Sequence, residues 1–268
     1  MEKTLDGCLS SIRRNNPAEI IMVNDGSADR TAEIAKQYTE KVYSHELKGI
    51  GYSWQFGAEQ TTQEYIVYID SDRMLTDNAL DTLLAELKAS DCVNLGALPL
   101  RPTGVCNCWQ RAIQKYADLI GLLGQRAVHT AYCSIGILRR DTILKYRFDP
   151  LFFRCADADL SLRLTRDGYQ IGLSSAITYG HYRADLRTII QVQYSNVRAR
   201  ALLACKHGLL KTRLLPQLAF DYICVQSIIK RKSSGLIPFL IVVGIMQTVG
   251  MVTGLFDVRG FVRVHRGR

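Results

Sequence analysis

Two short apolar runs, each ending abruptly in carboxylates, constrain this chain more than any other feature. The first, Ile20 to Val23, breaks at Asn24-Asp25-Gly26-Ser27. The second lies in EYIVYIDSDRML and ends at Asp70-Ser71-Asp72. Continuous apolar runs of this length, bounded by turn residues, read as strands buried on both faces. Segments of helical period surround them. EKTLDGCLSSIRR carries Leu5, Cys8, Leu9 and Ile12 on one face. SADRTAEIAKQY has Ser27 or Asp29 available as a cap, and NALDTLLAELKAS follows the second strand. This β-then-α alternation predicts an α/β fold: a Rossmann-like, mostly parallel sheet with covering helices.

Ligands of open α/β sheets bind beyond the carboxyl ends of the strands. Asp25, Asp70 and Asp72 all stand at such ends. In an extended stretch residues i and i+2 point the same way, so Asp70 and Asp72 can face one ligand. Their oxygens suit Mg²⁺ or Mn²⁺, which would bridge a diphosphate. A turn of solvated acids is the other reading of the same residues. The glycine-rich P-loop pattern is absent, so phosphates are not held as in P-loop ATPases. A third acidic stretch, FFRCADADLSLRL, places Asp157 and Asp159 before a leucine-rich helical run. A helix cap, a metal site and a proton acceptor are all open there.

Taken together, three motifs resemble the family 2 glycosyltransferases of the GT-A fold. VNDGSADRT looks like the family's V-[DN]-D-G-S-x-D-x-T motif, and YIDSDRML looks like its D-x-D strand end. RFDPLFFRCADADLSLRLTRDGYQI looks like its later block with an E-D pair. The resemblance covers roughly residues 2 to 181 and implies roles residue by residue. Asp25 matches the acid that contacts the base or ribose of the nucleotide. Asp70 matches an acid near the ribose and diphosphate, and Asp72 the ligand of a divalent metal (Mg²⁺ or Mn²⁺). Asp157 matches the catalytic base. Asp159, with Leu160 and Arg163, matches the helix that follows; an acceptor contact or a first-turn carboxylate favoured by the helix dipole is expected of it. His181 falls where some members place a histidine near the metal and diphosphate; a surface or core histidine is the competing reading. Inverting sugar transfer needs one base for the acceptor hydroxyl and positive charge on the departing diphosphate. One carboxylate plus a metal held by others meets that need.

Three departures from the family pattern stand out. The E-D pair is Ala156-Asp157. The Q-x-x-R-W motif of processive members is absent, which favours transfer of one sugar over polymerisation. The apolar strand with which members begin is not seen, because Met1 leads directly into EKTLDGCLSSI. The expectation is a catalytic domain truncated at its N-terminus. The alternative is a degenerate, non-catalytic nucleotide-sugar-binding protein.

The net charge is +9, and the region from Arg183 onward is rich in Arg and Lys. A basic, apolar C-terminal third points to a membrane surface rather than nucleic acid. Gly235 to Phe256 holds no charged residue. As a helix it would be ~30 Å long, about the thickness of a bilayer core. The expected organisation is therefore a catalytic domain over residues 1–187 and a basic, membrane-associated helical region over 188–268. The eight cysteines include no CxxC pair, so no zinc site is expected, and reduced thiols fit a cytoplasmic protein. The expected enzyme takes a sugar from a nucleotide diphosphate sugar on the cytoplasmic face of the membrane. Its expected acceptor is a lipid-linked or cell-envelope glycan.

Overall fold

A computed structural model describes residues 2–97, 99–102, 135–180, 186–208 and 245. The chain divides into two compact units. One comprises residues 1–104 and 124–182, the other residues 105–123 and 183–268.

The first unit opens with helix α1 (Glu2–Arg14), strand β1 (Met22–Asp25), α2 (Thr31–Lys36), β2 (Val42–His45) and α3 (Ile50–Glu59). It continues through β3 (Tyr65–Ile69), β4 (Arg73–Leu75), α4 (Ala79–Ala89), β5 (Cys92–Gly96) and β6 (Pro99–Pro102). After the described residues resume come β7 (Ile135–Arg139), α5 (Arg140–Tyr146), α6 (Ala156–Arg166), β8 (Gln170–Leu173) and β9 (Thr178–Gly180). Strands β1 and β2 pair in parallel, Met22 opposite Val42 and Asp25 opposite His45. A second sheet has the order β3-β7-β5-β8. There β7 is antiparallel to both β3 and β5, and β8 is parallel to β5. Three of the four strands thus run one way, as the alternating pattern predicts. The short β4, β9 and β6 form a third sheet.

The core forms where the helical stripes meet these strands. Leu5 and Leu9 of α1 pack with Ala35 of α2. Leu83 and Leu87 of α4 pack with Leu95, Ile135 and Ile137. Burying such side chains contributes roughly 1.5–3 kcal/mol each. Polar ties then fix α1 against the β4–α4 corner. The Ser11 hydroxyl donates to the Cys8 carbonyl and accepts the Leu75 amide at 3.0 Å. The Asn15 side chain donates to the Ser11 and Thr76 carbonyls and accepts the Leu80 amide. Each bond satisfies a group that burial would otherwise leave bare.

In the second unit the described helix is α7 (Leu186–Lys206), which carries Arg187, Arg198, Arg200 and Lys206 and no acid. Among the described residues no helix is long and apolar enough to cross a membrane. The uncharged stretch Gly235–Phe256 lies outside the described residues except for Ile245, which is helical and exposed.

Candidate functional site

The N-D-G-S turn after β1 is built by its own side chains. Asn24 Oδ1 accepts the Ser27 amide at 3.1 Å, so the Asn24 side chain closes the turn three residues on. Gly26 has φ +72°, and a Cβ there would stand 2.8 Å from the Leu47 amide nitrogen. The turn therefore lies directly against the β2–α3 loop. Between them opens a cleft of about 530 Å³ lined by Asn24, Gly26, Ser27, Ser44, His45 and Leu47, among others.

Asp25 is fixed from that same loop. Its Oδ1 accepts the Lys48 amide at 2.7 Å and its Oδ2 accepts the Gly49 amide at 2.9 Å. These amides lie at the N-terminus of α3, where a carboxylate is favoured by orphan N–H groups and by the helix dipole. His45 Nδ1 sits 3.4 Å from Asp25 Oδ1 and 2.7 Å from the Glu46 carbonyl. A carbonyl only accepts, so Nδ1 carries the proton. The ring meets Tyr52 edge-on at 4.9 Å.

Asp70-Ser71-Asp72 is not extended. The Arg73 amide donates to the Asp70 carbonyl at 3.0 Å, closing a tight turn between β3 and β4. Strand alternation therefore does not set the direction of the two carboxylates. What they share is a neighbour, Cys8 of α1, whose Sγ lies 3.8 Å from the Asp70 carbonyl. Burial, then the Asp72 and Asp70 charges, push this thiol up to about 12, so it stays protonated.

The turn fits a hard divalent cation. Asp72 Oδ1 is buried, accepts no hydrogen bond among the described residues, and has Arg73 Nε at 3.3 Å as its ion-pair partner. That oxygen keeps a lone pair that a cation or a water can use. No group of three His, Cys, Asp or Glu side chains converges as a metal site among the described residues. Two carboxylates with substrate phosphates and water are nevertheless a common Mg²⁺ set. His181, the expected third contributor, lies outside the described residues.

Asp157 and Asp159 both fall in the first turn of α6, and they differ sharply. Asp157 is half-buried, whereas Asp159 is completely buried. Asp159 Oδ2 accepts Arg163 Nε at 2.8 Å. The same guanidinium donates from Nη1 to the Tyr146 carbonyl and from Nη2 to the Arg147 carbonyl at 2.6 Å. Arg163, held by Asp159, therefore clamps α6 to the end of α5. Asp159 thus lies in the first helical turn, with its carboxylate engaged by Arg163. The segment between the two helices is bounded by left-handed residues, Arg147 at φ +54° and Cys155 at φ +63°.

Strand β2, helix α3 and the loop between them are not among the elements expected from the sequence. The signal available was Lys48-Gly49-Ile50-Gly51, two glycines one residue apart before an aromatic-rich stretch. Gly49 has φ +96°, and a Cβ on it would meet Phe153 Cα at 2.9 Å. A Cβ on Gly51 would meet the Asp149 carbonyl at 2.9 Å and Ala156 Cβ at 3.1 Å. The loop that holds Asp25 thus backs directly onto the segment that leads to Asp157.

Residues 2–147 match the family described as Glycosyl transferase family 2. An uncharacterized glycosyltransferase of Escherichia coli, YibD, is 30% identical over 153 residues, 47% of this chain and 41% of that protein. The lipopolysaccharide core biosynthesis glycosyltransferase LpsC of Rhizobium meliloti is 35% identical over 94 residues, 33% of this chain and 34% of that protein. Each match thus spans well under half of the relative's length. Among solved structures, a mannosyltransferase of Pyrobaculum calidifontis in complex with GDP-mannose and Mn²⁺ superposes with a TM-score of 0.61. It is 11% identical, and the match covers 92% of this chain and 84% of that one, a likeness of fold.

Proposed function

The chain belongs to glycosyl transferase family 2, and from that premise we propose that it transfers a single sugar from a nucleotide diphosphate sugar to a hydroxyl acceptor, with inversion. The observation that carries this reading is the distribution of acids over three sites with different surroundings. Asp25 is anchored by two backbone amides beside an open cleft. Asp70 and Asp72 form a partly buried acidic turn, and Asp157 stands half-buried at the first turn of a helix.

In this reading Asp25 binds the nucleoside, with its carboxylate held in one orientation by the Lys48 and Gly49 amides. The second lone pairs of both oxygens remain for ligand donors. Asp72 would hold Mg²⁺ or Mn²⁺, with Asp70 beside it near the ribose and diphosphate, and the metal would supply positive charge to the departing diphosphate. Asp157 takes the proton of the acceptor hydroxyl. The oxygen attacks the anomeric carbon, the bond to the diphosphate breaks, and a nucleoside diphosphate leaves. One base is enough, and no sugar becomes attached to the protein. Mn²⁺ with GDP-mannose in the mannosyltransferase of related fold supports the donor class and the metal.

The acceptor is a lipid-linked or cell-envelope glycan, and the enzyme works on the cytoplasmic face of a membrane. The basic α7, the uncharged run Gly235–Phe256 and the likeness to a lipopolysaccharide core enzyme support this. The test is transfer from labelled UDP-, GDP- and dTDP-sugars with Mn²⁺ and membranes, scored by the anomeric configuration of the product. Metal-dependent transfer with inversion is expected from one donor. Absence of transfer from every donor, or retention of configuration, contradicts the reading.

A further inference from the structure

Helix α3 touches both halves of the site. At its N-terminus the Lys48 and Gly49 amides hold Asp25. One residue into the helix, Gly51 meets the backbone ahead of α6. A Cβ there would lie 2.9 Å from the Asp149 carbonyl oxygen and 3.1 Å from both the Phe152 carbonyl oxygen and Ala156 Cβ. Carbon contacts are normally ~3.5–4.0 Å, so only a residue without a side chain allows this approach. A turn later, Gln55 Oε1 accepts the Phe148 amide at 3.0 Å, and Gln55 itself is buried. Its Nε2 donates to Glu59, which also accepts Arg147 Nη2 at 2.6 Å. Helix α3 therefore grips both ends of the 147–156 segment, the start through Gln55 and Glu59 and the finish through Gly51. Asp157 is the next residue.

We propose that Gly51 is a positioning residue for Asp157. Its missing side chain sets how far the base-bearing turn stands from the carboxylate that binds the nucleoside. Gln55 holds the other end of the same segment in register. This rests on the reading of Asp157 as the base. An added Cβ at Gly51 cannot displace two backbone carbonyls cheaply, so the 149–156 segment must move by several tenths of an ångström. Displacements toward 1 Å at a reacting group lower rates by ~10²-fold.

The test compares Gly51→Ala and the milder Gln55→Ala with the wild-type chain. Expected for Gly51→Ala is a kcat at least ~10-fold lower, with the donor KM and the Kd for UDP plus Mn²⁺ within ~2-fold of wild type. Gln55→Ala should show the same split with a smaller loss, and it carries the test if Gly51→Ala does not fold. A kcat within ~2-fold of wild type in both folded variants overturns the proposal, as does a loss of UDP affinity in step with kcat. Amide hydrogen exchange reads the same coupling without turnover. Residues 155–159 should exchange at least ~10-fold faster in the variants while β1 is unchanged, and unaltered exchange there overturns the proposal. A wild-type chain that transfers no sugar from any donor refutes the proposed function, and exchange at residues 155–159 still decides whether Gly51 holds that turn.

Discussion

Removing Asp159 should unfold the base-bearing turn before it harms chemistry. The side chain has no solvent exposure, and its partner Arg163 is 23% exposed. Replacement by alanine removes a charge-assisted bond and leaves a mostly buried cation without its counter-charge. Breaking buried pairs in this way costs about 3–5 kcal/mol. The residual exposure of Arg163 gives water some access, so Asp159→Ala belongs near the lower end, about 3 kcal/mol. Arg163→Ala leaves the fully buried carboxylate bare and takes donors from the Tyr146 and Arg147 carbonyls. It belongs near the upper end, about 5 kcal/mol. At roughly 2–4 °C per kcal/mol for a unit of this size, Asp159→Ala should melt about 6–12 °C lower. Urea unfolding with linear extrapolation measures both variants, and the double variant should lose clearly less than their sum. Stability of Asp159→Ala within about 0.5 kcal/mol of wild type would refute the clamp. So would a raised acceptor KM with no loss of stability, which is what an acceptor ligand would show.

Other substitutions separate the remaining roles. Asp72→Asn should weaken binding of UDP plus Mn²⁺ at least ~10-fold and leave metal-free UDP binding nearly unchanged, as titration calorimetry with and without the metal reads directly. Glu86 of α4 accepts from the Ser174 and Ser175 side chains and the Ser175 amide, and these bonds lower its pKa below 4.5. A depressed carboxylate stabilises the fold above its unfolded pKa and loses that contribution as pH falls through the folded one. The melting-temperature advantage of wild type over Glu86→Gln should therefore be full at neutral pH and shrink below about 4.5.

The acid-ended strands were legible because continuous apolar runs broken by Asn-Asp-Gly or Asp-Ser-Asp carry strong local signals. The D-x-D turn shows the limit of that reading. Its residues are named by sequence, but its bend comes from the Asp70–Arg73 backbone bond and from α1 underneath. Strand β2, Val42-Tyr43-Ser44-His45, is short and only partly buried, so its apolar pattern is faint. Helix α3 hides behind two glycines that ordinarily weaken a helix. They are there because the neighbouring backbone comes too close for a side chain. Asp159 and Arg163 stand four residues apart, a spacing visible in the sequence. Spacing alone does not tell an exposed pair from a buried clamp, since burial depends on residues 146 and 147 folding back onto the helix.

The most direct test of the whole account compares Asp157→Asn with wild type, measuring sugar transfer and binding of UDP plus Mn²⁺ on the same preparations. A base assignment at Asp157 predicts transfer lowered by at least ~10³-fold with nucleotide Kd unchanged within ~2-fold. Transfer within ~10-fold of wild type, or nucleotide affinity lost in step with transfer, would contradict it.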